Sequence, residues 1–154
     1  MAQSSSTMQL TRAADYGVRV MFHLAALSGQ QRVRLPELAR ATNAPESFLS
    51  KVLQALCRAG FILSQRGQTG GFEILPAGRQ ASISAVIEAV DGPICLNLCV
   101  DRGAQCKRSS ICPAHPVWVR AQQAMMAVLN EASVSELALK ADATISCTEC
   151  VESA

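Results

Sequence analysis

A mainly α fold with one small β-hairpin is what these 154 residues predict, and three observations carry it. Apolar residues recur at helical spacing in one segment after another of the N-terminal half. Two short apolar runs, 61–63 and 72–75, flank a glycine-bearing stretch and read as a hairpin. Further on, Trp118, Ala121, Met125, Val128 and Ala132 alternate steps of three and four, the seam of a long helix that needs a partner.

Thr11 is placed to cap the first helix, and Asp15 in its first turn suits the helix dipole. Ala14, Val18, Met21 and Ala25, with Gly17 and Leu24 beside them, form the apolar face of a helix running to about Leu27, closed by Ser28-Gly29. The next helix begins at Leu35-Pro36, where the missing N–H of proline costs nothing, and breaks at Thr42-Asn43-Ala44. Pro45 starts a third helix that continues to Arg58 before Gly60.

Two short helices joined by a tight turn make a helix-turn-helix. In the second, Phe48, Leu49, Val52, Leu53 and Leu56 form the expected buried side. Ser47, Ser50, Lys51 and Gln54 fall at i, i+3, i+4, i+7 on the opposite side. Hydroxyls, an amide and one lysine on an exposed helix face match what a major groove offers, although an ordinary solvated face has the same composition. The following hairpin, Phe61-Ile62-Leu63 and Phe72-Glu73-Ile74-Leu75 around RGQTGG, tips the balance toward a winged helix that binds double-stranded DNA. Arg66 near the wing tip is suited to a narrow minor groove. A further helix from Ser82 to about Val90, with Ile83, Ile87 and Val90 on one face, ends at Asp91-Gly92-Pro93.

Composition bounds the function. Hydrophobic residues make up 49% of the chain, enough for a real core. No apolar run approaches the roughly 18 residues of a membrane span, and the first residues lack a signal-peptide pattern. A cytoplasmic protein is expected, and its seven cysteines then read as metal or redox residues rather than as a disulfide framework. Residues 1–92 hold nine Lys/Arg against six Asp/Glu, a net +3, whereas 93–154 hold five against six. The mild positive charge therefore lies on the part read as DNA-binding. No substrate or dinucleotide site is recognisable, so no enzyme and no small-molecule substrate are expected.

Between the two halves lies CLNLCVDRGAQCKRSSICPAHPVW, residues 95–118, which has no helical or strand period. Cys99, Cys106 and Cys112 are spaced C-x6-C-x5-C, and His115 follows by C-x2-H. Thiolates and imidazole bind soft or borderline metals. A Cys₃His set suits zinc, although zinc modules usually bring ligands in tighter C-x2–4-C knuckles; iron–sulfur centres are equally compatible with these donors. Cys57 reads as a small hydrophobe in the third helix, Cys95 as a spare thiol, and Cys147-x2-Cys150 on a polar tail as half a metal knuckle or a thiol pair, with no role assigned.

The order of these pieces resembles the IscR/NsrR (Rrf-two) family of winged-helix regulators over about Met8 to Ala138. MQLTRAADYGVR is similar to its opening helix, RGQTGGF to its wing, and AVIEAVDG with the three-cysteine loop and the following helix completes the sequence of elements. The resemblance implies a winged helix-turn-helix plus a long dimerisation helix. It also implies a homodimer whose Cys99, Cys106 and Cys112 hold an iron–sulfur cluster, [2Fe-2S] slightly favoured over [4Fe-4S]; zinc is the alternative that the donor set itself allows. His115 matches the fourth ligand of one branch, and Asp15 sits where the other branch supplies an aspartate from the partner subunit. The first gap is one residue longer than in those branches.

The expected layout is a disordered start over 1–7, a winged-helix domain over 8–92, a cluster-binding loop over 93–116, a dimerisation helix and a final short helix over 117–140, and a tail over 141–154. The expected function is a transcriptional regulator whose promoter binding responds to iron–sulfur status or to oxidative or nitrosative stress. Its rivals are a zinc-stabilised DNA-binding protein without sensing and a thiol redox protein using Cys147 and Cys150.

Overall fold

A computed structural model describes residues 10–29, 31–100 and 106–140. The expected start over 1–7, the tail and both of its cysteines lie outside the described residues. Helix α1 (Arg12–Ala26) begins where expected, with Thr11 Oγ1 accepting from the Ala14 N–H at 3.2 Å. Helix α2 (Leu35–Thr42) carries proline in its first turn and stops at Asn43, whose φ of 53° is the left-handed conformation that asparagine tolerates. The Ala44 N–H then returns to the Ala39 carbonyl, and α3 (Glu46–Arg58) starts directly after Pro45.

Strands β1 (Ile62–Gln65) and β2 (Gly71–Ile74) pair antiparallel, Ile62 opposite Ile74 and Gln65 opposite Gly71. Both lie close to the expected runs, β1 one residue later and β2 one residue earlier. Val33 adds a third edge through paired backbone bonds with Phe72, each 2.9 Å. Helix α4 (Pro76–Gln80) was not foreseen, because five residues are too few for a period to show. Helix α5 (Ile83–Asp91) is capped by Ser82, whose hydroxyl accepts from the Ala85 N–H at 3.2 Å.

The core lies between α1, α2, α3, β1 and α5, around Val20, Met21, Leu24, Leu38, Leu49, Leu53, Leu56, Ile62 and Val86. Helix α1 packs most extensively on α5 and next on α3. Two expectations shift here. Val20, not Val18, is the fully buried valine of α1. Phe48, expected inside, is 41% exposed and meets the Tyr16 ring edge-on at 5.7 Å. Aromatic edges pack well in that geometry even at a surface.

A 3₁₀ turn (Leu98–Val100) packs on α6 (His115–Leu129), and α6 also runs beside α5. No residue of α6 is buried among the described residues, and Val117 and Val128 are 65% and 68% exposed. The final helix, α7 (134–140), turns back onto the winged helix: Val134 is fully buried in its core and Ala138 nearly so. Ser133 N–H and hydroxyl both donate to Glu136 Oε2 at 2.7 Å, closing the start of α7 and holding the Glu136 carboxyl below its usual range. No helix among the described residues is long and apolar enough to cross a membrane.

Candidate nucleic-acid interface and cysteine loop

The exposed side of α3 is the one the spacing foresaw. Ser47, Lys51 and Gln54 are exposed, whereas Ser50 is half-buried and donates its hydroxyl to the Glu46 carbonyl at 2.9 Å. An open cleft of about 500 Å³ separates α3 from the wing and is lined by Ser50, Leu53, Gln54, Cys57, Arg58, Ser64, Arg66 and Phe72. The fold thus brings Ser50, Gln54 and Arg66 to one cleft. Two guanidinium groups and no carboxylate line it, a charge pattern suited to a phosphate backbone.

Arg58 and Ser64 were missed in the sequence. Arg58 continues the polar series at i+4 from Gln54, which was the available signal; Ser64 had none, because its outward direction depends on the strand register. Cys57 packs against the core as a small hydrophobe would, and burial pushes its thiol pKa up.

Three contacts fix the wing relative to α2. The Arg34 guanidinium donates to the Gln68 carbonyl in the wing turn. Val33 pairs with Phe72. Arg32 Nε lies 3.0 Å from the carboxylate of the buried Glu73. On the other side of the helix-turn-helix, Arg19 lies 2.7 Å from Asp15 and donates to the Thr42 carbonyl at 3.3 Å. Its guanidinium carbon stands 5.9 Å from the centre of the Tyr16 ring. Asp15 is therefore already engaged within its own reading domain.

The cysteine loop enters α6 through successive turns. Ser109 N–H reaches the Cys106 carbonyl, Ile111 N–H the Arg108 carbonyl and His115 N–H the Cys112 carbonyl, each at 3.1 Å. Cys112 and His115 consequently lie one turn apart at the start of α6, while Cys99 sits in the 3₁₀ turn that packs on the same helix. Cys99, Cys106 and Cys112 are half-buried free thiols, and Cys95 is exposed. Among the described residues no three His, Cys, Asp or Glu side chains converge on one point. His115 Nδ1 is buried without a hydrogen-bond partner among the described residues, an arrangement that costs free energy unless something binds there. A metal ion would supply that partner, so the donor chemistry of Cys99, Cys106, Cys112 and His115 suits a metal centre, although their side chains do not converge in this structure.

Gln122 was also missed. Its side-chain amide donates to the Ile94 carbonyl at 2.6 Å and accepts from the Leu96 N–H at 2.9 Å. The sequence did hold a signal: Trp118, Gln122, Met125 and Leu129 form a helical stripe in which one amide interrupts apolar residues.

Comparison with known proteins adds the ancestry of this arrangement. Residues 10–140 match the family model described as Rrf2, iron-dependent transcriptional regulator. Protein aau3 of Rhizobium meliloti (strain 1021) is 30% identical over 131 residues, covering 84% of each chain. The HTH-type transcriptional regulator NsrR of Geobacillus kaustophilus is 28% identical over 131 residues, 84% of this chain and 89% of that one. CymR, the global cysteine regulator of B. subtilis, superposes with a TM-score of 0.69 at 23% identity, covering 86% of this chain and 97% of its own, and so shares the fold. Regulators of this family bind promoter DNA. The family match across all the elements described above makes this chain a member of the Rrf2 family of transcriptional regulators.

Proposed function

We propose that the chain regulates promoters as a homodimer and that an iron–sulfur centre held by Cys99, Cys106, Cys112 and His115 sets its affinity for DNA. The observation that carries this reading is His115 Nδ1, buried and partnerless among the described residues, one turn from Cys112 at the start of α6. It favours His115 as fourth ligand, with Asp15, half-exposed beside Arg19, as the alternative supplied by the partner subunit. The pairing surface is assigned to α6, none of whose residues is buried among the described residues and which carries the Trp118-to-Ala132 seam.

The centre, when bound, supplies iron that oxidants, nitric oxide or iron shortage remove, with [2Fe-2S] preferred to [4Fe-4S]. This chain's own residues hold it between the 3₁₀ turn and α6, so its gain or loss acts on the helix that sets how two winged domains are spaced. Anaerobic purification followed by visible absorbance and metal analysis tests the proposal. Brown protein with iron and sulfide is expected, and Cys106→Ser is expected to be colourless. Colourless wild-type protein with stoichiometric zinc and no iron would falsify it in favour of a structural zinc site.

The DNA surface is proposed as Ser47, Ser50, Lys51, Gln54 and Arg66, extended by Arg58. Lys51→Ala and Arg66→Ala are each expected to weaken promoter binding about tenfold in gel shifts, the dimer staying intact by size exclusion. The Lys51 variant should lose affinity for all sequences alike and lower the salt slope by about one. Unchanged binding in both variants would place the reading surface elsewhere.

A further inference from the structure

The six residues from Asp91 to Leu96 join the reading domain to the cysteine loop, and among the described residues they line an open pocket. A cavity of about 330 Å³ opens there, bounded by Leu10, Ile87, Cys95, Met125 and Leu129 among others. A segment beside an open pocket has fewer packing neighbours than one in a close-packed core, so its directional bonds weigh more in its placement. Those bonds run both ways. Toward the reading domain, Thr11 Oγ1 donates to the Asp91 carboxylate at 2.7 Å while accepting from the Ala14 N–H, so Asp91 is tied to the cap of α1. The Ile94 N–H also reaches Glu88 Oε1 on α5, at 3.4 Å. Toward the pairing helix, the Gln122 amide binds Ile94 and Leu96 on either side of Cys95. Cys99 follows three residues after Leu96.

We infer that Gln122 is a positioning residue that passes the state of the cysteine loop to the reading domain. This rests on the iron–sulfur function proposed above. Gln122 satisfies one carbonyl and one N–H of the strap, as a neighbouring strand would. A displacement of Cys99 pulls on a strap that holds α6 through Gln122 and α1 through Asp91. Without the clamp, the strap moves over its cavity and the two ends respond separately.

The test uses the full chain with Gln122→Met, which keeps the length and loses both bonds, and Gln122→Glu, which keeps only the acceptor for Leu96. In cluster-free protein, the Leu96 amide of Gln122→Met should exchange its hydrogen about fivefold or more faster than in wild type, as loss of such bonds implies. Iron content and dimer state should match wild type. The ratio of promoter affinities between cluster-loaded and cluster-free protein should fall to below about twofold in Gln122→Met and remain intermediate in Gln122→Glu. A wild type without iron, or without a cluster-dependent affinity, overturns the proposed function and this inference with it. A responsive wild type together with an equally responsive Gln122→Met overturns the clamp alone. Should Gln122→Met take up no iron, unchanged Leu96 exchange is equally fatal to the clamp.

Discussion

Gly78→Ala is expected to destabilise the protein by about 4 kcal/mol and lower its melting temperature by about 10 °C or more. A Cβ at this position would lie 2.2 Å from the Phe61 carbonyl oxygen, 2.9 Å from its carbon and 3.0 Å from Met21 Cε. The end of a methionine side chain yields easily at a surface, but Met21 is fully buried in the core. The Phe61 carbonyl cannot rotate away either, since it accepts the Leu75 N–H at 2.9 Å. Helix α4 must therefore lift off β1 and α1 together. Thermal unfolding followed by circular dichroism reads the effect, and a melt like that of wild type would show that α4 is free to shift.

Gly70→Ala is expected to act on function rather than on stability. A Cβ at Gly70 would stand 2.4 Å from the Gln65 oxygen, 2.8 Å from the Arg66 carbon and 2.9 Å from the Gly67 oxygen, all of them backbone. The wing turn has to open to accept it, which moves Arg66 out of the cleft and separates Gln68 from Arg34. Residues 63–69 are exposed, so little core is disturbed and the melting temperature should move by only a few degrees. Promoter affinity should drop tenfold or more, because each direct interaction between a side chain and DNA is worth on the order of 1–3 kcal/mol. Fluorescence anisotropy on promoter DNA alongside a melt separates the two outcomes. Retained affinity would show that the wing tip does not touch DNA.

Much of this architecture was legible because local chemistry and global packing agree along α1, α2, α3 and α5. The Thr11 cap, the Leu35-Pro36 start, the Pro45 start and the Ser82 cap all fall within a residue or two of the observed helix ends. The polar face of α3 could be read because Leu49, Val52, Leu53 and Leu56 leave one side of a single helix unburied. What escaped depends on neighbours distant in sequence. Phe48 carries an inward-facing residue type but finds the Tyr16 edge at the surface. The crowding at Gly78 exists only because Phe61 and Met21 converge on α4 from other elements. Gln122 stands out in its helical stripe as the one amide among apolar residues, but its partner, the strap twenty-six residues earlier, shows only once the chain is folded.

The cysteine spacing identified donors but not their geometry, because an aperiodic loop leaves Cβ directions undetermined. The placement of Cys112 and His115 within one turn became evident only from the backbone bond between them. The same holds for α7, expected only as a final short helix, with nothing to show that Val134 belongs to the winged-helix core.

Helix α6 is pinned where it ends. Asn130 Oδ1 accepts from Ser82 Oγ at 2.8 Å and Ser84 Oγ at 2.6 Å, and the Val134 N–H donates to the Ala81 carbonyl at 2.9 Å just beyond. The 15 residues of α6 thus form a beam about 22 Å long with its fulcrum at Asn130. A shift of about one ångström at His115 tilts such a beam by about 3°, and in the proposed homodimer a two-fold axis would impose the same tilt on the partner. Under the proposed function, a change at the cysteines too small to remodel either domain would in this way be geared into a different separation of the two reading heads along the duplex.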